Sequence, residues 1–122
     1  MLGVEELGLA EFDGEKLLRP GRYAVCFHAT WCGFCRRFLP LFRARDGQLG
    51  GRLALADISD ESNPLWERFD IDVVPAIRGF EDGRLRWRID SPLGVGLSAK
   101  AMATVAERLG PGRSGLSVQE GQ

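Results

Sequence analysis

Between Arg22 and Phe27 the chain carries a short apolar run in which Tyr23, Val25 and Phe27 fall on one side and Ala24 and Cys26 on the other. That is the pattern of a strand buried on both faces. From Gly33 the period lengthens: Cys35, Phe38, Leu39 and Phe42, with Leu49 further on, recur at helical spacing while Arg36, Arg37, Arg43 and Arg45 fall opposite. The spacing predicts an amphipathic helix in which Pro40 removes a backbone donor and kinks the axis. Leu53 to Ile58 reads as a second buried strand, and Asn63 and Pro64 as the N-cap and first position of a short helix through Phe69. Ala76 to Phe80 and Arg84 to Ile89 flank Glu81-Asp82-Gly83, whose Asp-Gly pair is a hairpin signal, so the last two strands are antiparallel. Ser98 caps a final helix with Met102, Val105, Ala106 and Leu109 along one stripe, and Gly110-Pro111-Gly112 stops it. Nearer the N-terminus, Val4 to Ala10 reads as an edge strand and Glu11 to Leu18 as a short helix, although Gly3, Gly8 and Gly14 weaken both.

This alternation predicts an α/β domain with a mixed sheet, and 122 residues leave room for one core only. The expected division is a domain over 1–110 and a flexible polar tail over 111–122. With 44% hydrophobic and 27% charged residues the chain folds without a disulfide scaffold or structural metal. Sixteen basic against seventeen acidic side chains give no electrostatic grip on nucleic acid or an anionic membrane. No stretch has the length of a membrane span, and Glu5, Glu6, Glu11, Asp13 and Glu15 stand where a secretory segment would be apolar, so a chain starting near Met1 and a cytoplasmic location are expected. An odd count of three cysteines fits a reducing compartment.

The chemistry lies in Trp31-Cys32-Gly33-Phe34-Cys35, at the join between the first clear strand and the first long helix. In the first turn of a helix, residues three apart lie over one another, so two sulfurs there can close a disulfide and reopen it without moving the scaffold. The first sulfur meets unpaired backbone N–H groups and the positive end of the helix dipole, which favour a thiolate. Cys32 is therefore the expected attacking thiol, and Cys35, one turn in on the apolar face, the shielded resolving thiol. Arg36 and Arg37 either add positive potential or lie solvated on the outer face.

Strand, Trp-Cys-Gly-x-Cys, a helix with Pro40 five residues after the second cysteine, then Val74-Pro75 opening the strand before an Asp-Gly turn: together these resemble the thioredoxin family over about residues 4 to 110. The resemblance implies a three-layer fold with a central mixed sheet of four to five strands and helices on both faces. It implies that Pro75 is cis and lies against the dithiol, and that Val74 offers its backbone to an extended substrate. Trp31, Phe34 and Gly94 or Gly96 fall beside the substrate groove, and Gly33 and Pro75 support the motif. The implied activity is thiol-disulfide exchange with protein disulfides, by a monomer that needs no metal or organic cofactor beyond its own redox-active disulfide. A flavin-dependent thioredoxin reductase is the implied electron donor.

Several positions depart from the family pattern. Phe34 replaces the usual proline, which makes the dithiol less reducing; its ring either contacts substrate or folds back on its own helix. Cys26 stands where the family buries an aspartate that assists proton transfer, and it reads as a small apolar core residue or a third redox thiol. His28, two residues along, takes a usual tryptophan position and either exchanges a proton near the dithiol or is a half-buried, hydrogen-bonded histidine. Asp57 is a weaker candidate for a displaced acid. Arg78 interrupts an apolar strand and calls for a partner, Asp57 or Glu81, or for escape to the surface, and Gly79 suggests a bulge or a close backbone approach. Within the same fold the alternatives are a disulfide oxidase or isomerase, or a binding module with the dithiol as a switch. One Cys-x-x-Cys with one distant histidine falls short of a zinc site.

Overall fold

The computed structural model describes residues 3–111. In chain order they form β1 (Glu5–Glu6), a 3-10 turn (Leu9–Glu11), β2 (Phe12–Asp13), β3 (Lys16–Leu17), β4 (Arg22–His28), α1 (Gly33–Ala44), β5 (Arg52–Asp57), α2 (Leu65–Arg68), β6 (Ala76–Glu81), β7 (Arg84–Asp90) and α3 (Ala99–Leu109). Five strands build one mixed sheet in the order β1-β5-β4-β6-β7, with β1, β5 and β4 parallel and β6 and β7 antiparallel to their neighbours.

The alternation within β4 sorts the core into two halves. Tyr23, Val25 and Phe27 face α2, where Leu65 and Phe69 close over them, while Ala24 and Cys26 face Phe38 and Phe42 of α1 and Met102, Val105 and Leu109 of α3. With a helical layer on each face and a strand on each side, β4 has no polar surface to show, hence its continuous apolar run. In the edge strand β7 the pattern alternates, Trp87 and Ile89 packing inward between arginines that discourage pairing with another chain. Asp82 and Gly83 both have positive φ, 49° and 87°, as the tightest hairpin turn requires. Ser98 accepts from the Lys100 N–H at the start of α3, and Asn63 accepts from the Leu65 N–H at the start of α2. Helix α1 continues through Pro40, which leaves the Arg36 carbonyl without its usual donor.

The N-terminal expectations need correction. The edge strand over Val4–Ala10 is only the two residues of β1, and Glu11–Leu18 is a small hairpin instead of a helix. Gly14, with φ 62°, opens the two-residue loop between β2 and β3. The residue that weakens a helix here makes a turn, and Phe12 and Leu17 drop from the hairpin into the cluster of Phe27, Phe69 and Phe80. Leu49 lies beyond the end of α1 and bridges to Pro111. Of the expected tail, residues 112–122 lie outside the described part of the chain.

Candidate active site

The end of β4 and the start of α1 hold the two motif cysteines. Cys32 is the N-cap of α1 and its sulfur accepts the Cys35 N–H at 3.1 Å, satisfying a donor that the first turn would otherwise leave unpaired. The Cys35 side chain lies close against Cys32, one helical turn in. Burial, and then the neighbouring Cys32 with its charge, push the Cys35 thiol up to about 12. Cys32 retains 7% of its surface and Cys35 none, so only the first is reachable from outside. On its other side the Cys32 thiol donates to the Val74 carbonyl at 3.4 Å. The Val74–Pro75 bond is cis, and the Pro75 carbonyl accepts the Ser91 hydroxyl.

Around this pair the remaining residues divide by what they touch. Trp31, 53% exposed, lies parallel to Trp66 at 6.3 Å and donates its indole N–H to the Ser59 carbonyl. Phe34 packs on Gly96, where a Cβ would come within 2.9 Å of the ring, and the Arg37 guanidinium sits 5.1 Å from the ring centre. Phe34 thus staples the start of α1 to the loop between β7 and α3, a third arrangement beside the two expected from its position. Of Gly94 and Gly96, Gly96 lies under the motif, whereas Gly94 has no neighbour within 4 Å of where its Cβ would be. Gly33 is similarly open, its Cβ position meeting only the tip of Arg36. Arg36 is not freely solvated, since it donates to the Thr30 carbonyl.

Cys26 is fully buried, and burial holds its thiol well above the ordinary range, so it cannot stand in as a base for the aspartate it replaces. Asp57 is committed elsewhere. Its Oδ1 accepts both the backbone N–H and the hydroxyl of Ser59, which hold its carboxyl below the usual range, and Ser59 Oγ accepts the Thr30 N–H beside the motif. The Asp-x-Ser spacing is a local turn signal by which Ser59 was findable in the sequence. Trp66 and Ser91 carry no such signal.

His28 is buried, and its Nε2 has no hydrogen-bond partner among the described residues, so the expectation of a satisfied histidine is not met. Burial lowers its pKa, against the pull of Asp57, its ladder partner on β5, and of Glu6. The unfolded chain therefore takes up this proton more readily than the folded one. The stability His28 leaves intact is fully present above about pH 6.5 and is lost as pH falls from there toward the folded value. Urea midpoints of the wild type should fall between pH 7.5 and 5 with up to about 1.4 kcal/mol per pH unit from this proton. That contribution should vanish in His28→Leu; parallel curves for the two proteins would remove it.

Arg78 does not reach the surface, and neither expected partner is its own. Its guanidinium pairs with Asp90 at 2.9 Å and donates to the carbonyls of Phe69, Asp70 and Ile77. Glu81, three residues along the same strand, points to the opposite face, and Asp57 lies on β5 beyond β4. Asp90, two residues beyond the ladder partner Arg88, shares the face of Arg78.

The thioredoxin family model matches residues 4–103 of the chain. The chain belongs to the thioredoxin family. It is 32% identical over 83 residues to thioredoxin X, chloroplastic, of Arabidopsis thaliana, a match covering 67% of this chain and 46% of that protein. With the thioredoxin of Rhodospirillum rubrum the identity is 28% over 67% of this chain and 80% of that one. Protein disulfide-isomerase A3 of Gallus gallus shares 31% over 73% of this chain and 18% of its own length. The chain thus spans less than half of the isomerase and of the chloroplast relative. In three dimensions it superposes on thioredoxin f from spinach chloroplast with a TM-score of 0.69, at 16% identity over 88% of this chain and 93% of that one. Mitochondrial thioredoxin 3 of Saccharomyces cerevisiae in its oxidised form gives 0.63, at 24% identity over 87% and 95%. The sheet order and the helices on both faces are those of the thioredoxin fold that the motifs implied.

Proposed function

We propose that this member of the thioredoxin family is a thiol-disulfide oxidoreductase acting on protein disulfides. The observation that carries the reading is the asymmetric dithiol, in which Cys32 accepts the Cys35 N–H and is reachable while Cys35 is sealed one turn behind it. The Cys32 thiolate attacks one sulfur of a substrate disulfide, forming a mixed disulfide and expelling the other sulfur as a thiolate. Bonding of Cys32 to substrate removes the Cys32 charge that helps to keep Cys35 protonated. Cys35 then loses its proton to the departing thiolate or to water and attacks the Cys32 sulfur. This breaks the mixed disulfide and expels the second substrate sulfur as a thiolate, so that two electrons have passed to the substrate as the Cys32–Cys35 disulfide closes. Val74 and Pro75, facing Cys32, form the edge on which an extended substrate rests, and the exposed face of Trp31 extends that edge. The cycle runs on the dithiol alone, and a flavin-dependent reductase is the proposed donor that restores it.

We place the chain on the reducing side of this chemistry, in the cytoplasm, on its odd cysteine count. None of its described helices is long and apolar enough to cross a membrane. The oxidase or isomerase reading is favoured by one feature, Phe34 in place of a motif proline. The reduction potential separates the two. A value near about −270 mV, with acceleration of insulin reduction by dithiothreitol, is the result expected of a reductant, and a value of about −120 to −180 mV would assign the opposite direction. No acceleration at either potential would leave a binding module whose dithiol is only a switch.

A further inference from the structure

Arg78 is the largest fully buried side chain among the described residues. A guanidinium inside a sheet is costly to desolvate, and a well-packed apolar residue in its place is often neutral or stabilising. Stability alone is therefore a weak reason for its presence. What it holds is specific. Its Nε and Nη2 both donate to the Phe69 carbonyl, at 3.1 and 2.8 Å, and Nη2 also reaches the Asp70 carbonyl. The Asp90 carboxylate bridges Arg78 and Arg88, at 2.9 and 2.7 Å, so two like charges paired across β6 and β7 share one anion. Arg88 adds bonds to the Asp70 carbonyl and carboxylate. All of this converges on Asp70, a non-glycine residue at φ 52° where α2 has just ended, five residues before Pro75. The far end of the same segment is held by Ser91, the neighbour of Asp90, through the Pro75 carbonyl. Between the two anchors Ile71 and Val74 are buried, and the Val74 carbonyl faces the Cys32 sulfur.

We propose that Arg78 and Asp90 are positioning residues that hold the 70–75 segment in register with Cys32, so that Val74 and Pro75 present a preformed edge to a docking polypeptide disulfide. The inference rests on the functional reading above. A loop free to shift by about an ångström would still leave the dithiol intact, but a polypeptide would have to order the edge as it bound. A small disulfide that does not use the edge would react as before.

The test compares wild type, Arg78→Met, Arg78→Lys and Asp90→Asn in the full chain. For reduction of fluorophore-labelled insulin, Arg78→Met should raise KM about tenfold with kcat within about twofold. Reduction of 5,5′-dithiobis(2-nitrobenzoate) and alkylation of Cys32 by iodoacetamide should keep their wild-type rates. Arg78→Lys, which keeps the charge without the fork, should fall between. An unchanged insulin KM, or equal losses with both disulfides, would overturn the proposal. Should Arg78→Met not fold, Asp90→Asn, which retains the bonds from Arg78 to the carbonyls, carries the same expectation and the same refutation. A wild-type chain that reduces neither disulfide would sink the functional reading, and the positioning role is then judged by amide exchange. Arg78→Met, or Asp90→Asn in its place, should speed exchange at residues 71–74 about tenfold while leaving β4 unchanged; no difference at 71–74 refutes it.

Discussion

Cys32→Ser is expected to lower insulin reduction about 10³-fold or more, to the level of dithiothreitol alone, because a serine oxygen cannot enter a disulfide. Cys35→Ser should lose turnover equally but for a different reason. Its Cys32 is still reachable and still has the N–H of residue 35 directed at its sulfur, so the first attack proceeds and the mixed disulfide accumulates. Non-reducing gels should show the substrate covalently joined to Cys35→Ser and not to Cys32→Ser. Cys26→Ala should turn over normally, since that thiol is sealed and protonated. Retained activity in Cys32→Ser would mean that another sulfur is the nucleophile, and the asymmetry drawn from exposure would be wrong.

The largest effect expected on stability comes from Gly79→Ala. Gly79 faces Trp87 across the β6–β7 ladder, and a methyl group there would fall within the indole ring itself. The backbone at Gly79 lies outside the left-handed region, so the requirement is one of space and not of φ. Trp87 is packed against the cluster beneath α3, and expelling it exposes apolar surface while its former place is left unfilled. A loss of about 3 kcal/mol is expected, read as a lower urea midpoint at an unchanged slope. A loss below about 1 kcal/mol would show that the indole moves aside freely. The ladder shifts register just after Gly79, as the bulge suggested by its sequence position requires, and what comes close to Gly79 is the Trp87 indole in place of a neighbouring backbone.

Most of the sheet and the long helices were legible because their signals are local. A strand covered on both faces must be apolar throughout, as at Tyr23 to Phe27; a two-residue turn with positive φ wants Asp-Gly; a helix start wants a side-chain acceptor, as at Ser98. The N-terminal hairpin has no such local signal. Its strands are two residues each, too short to display a period, and Phe12 and Leu17 are held by an aromatic cluster assembled from β4, α2 and β6. In the candidate site, the dithiol was visible as a spacing of three on a helix start. The supports around it were not, since Trp66, Ser91, Gly96 and Asp90 come from separate elements and meet the motif or its neighbouring segment only after the chain has crossed the sheet.

From its sequence alone this protein determined where the two sulfur atoms of its Cys-x-x-Cys motif would sit, which of them would face outward, and the alternation of strands and helices beneath them. Helix periodicity and capping act within a few residues, so they are written in the order of the letters. The tertiary structure decided the rest: that Arg78 pairs with Asp90, that Phe34 rests on Gly96, and that His28 is buried with its Nε2 unpaired among the described residues. Those outcomes depend on which faces meet across strand ladders and packed layers, and one chain's order does not state the distance between residues that only folding brings together.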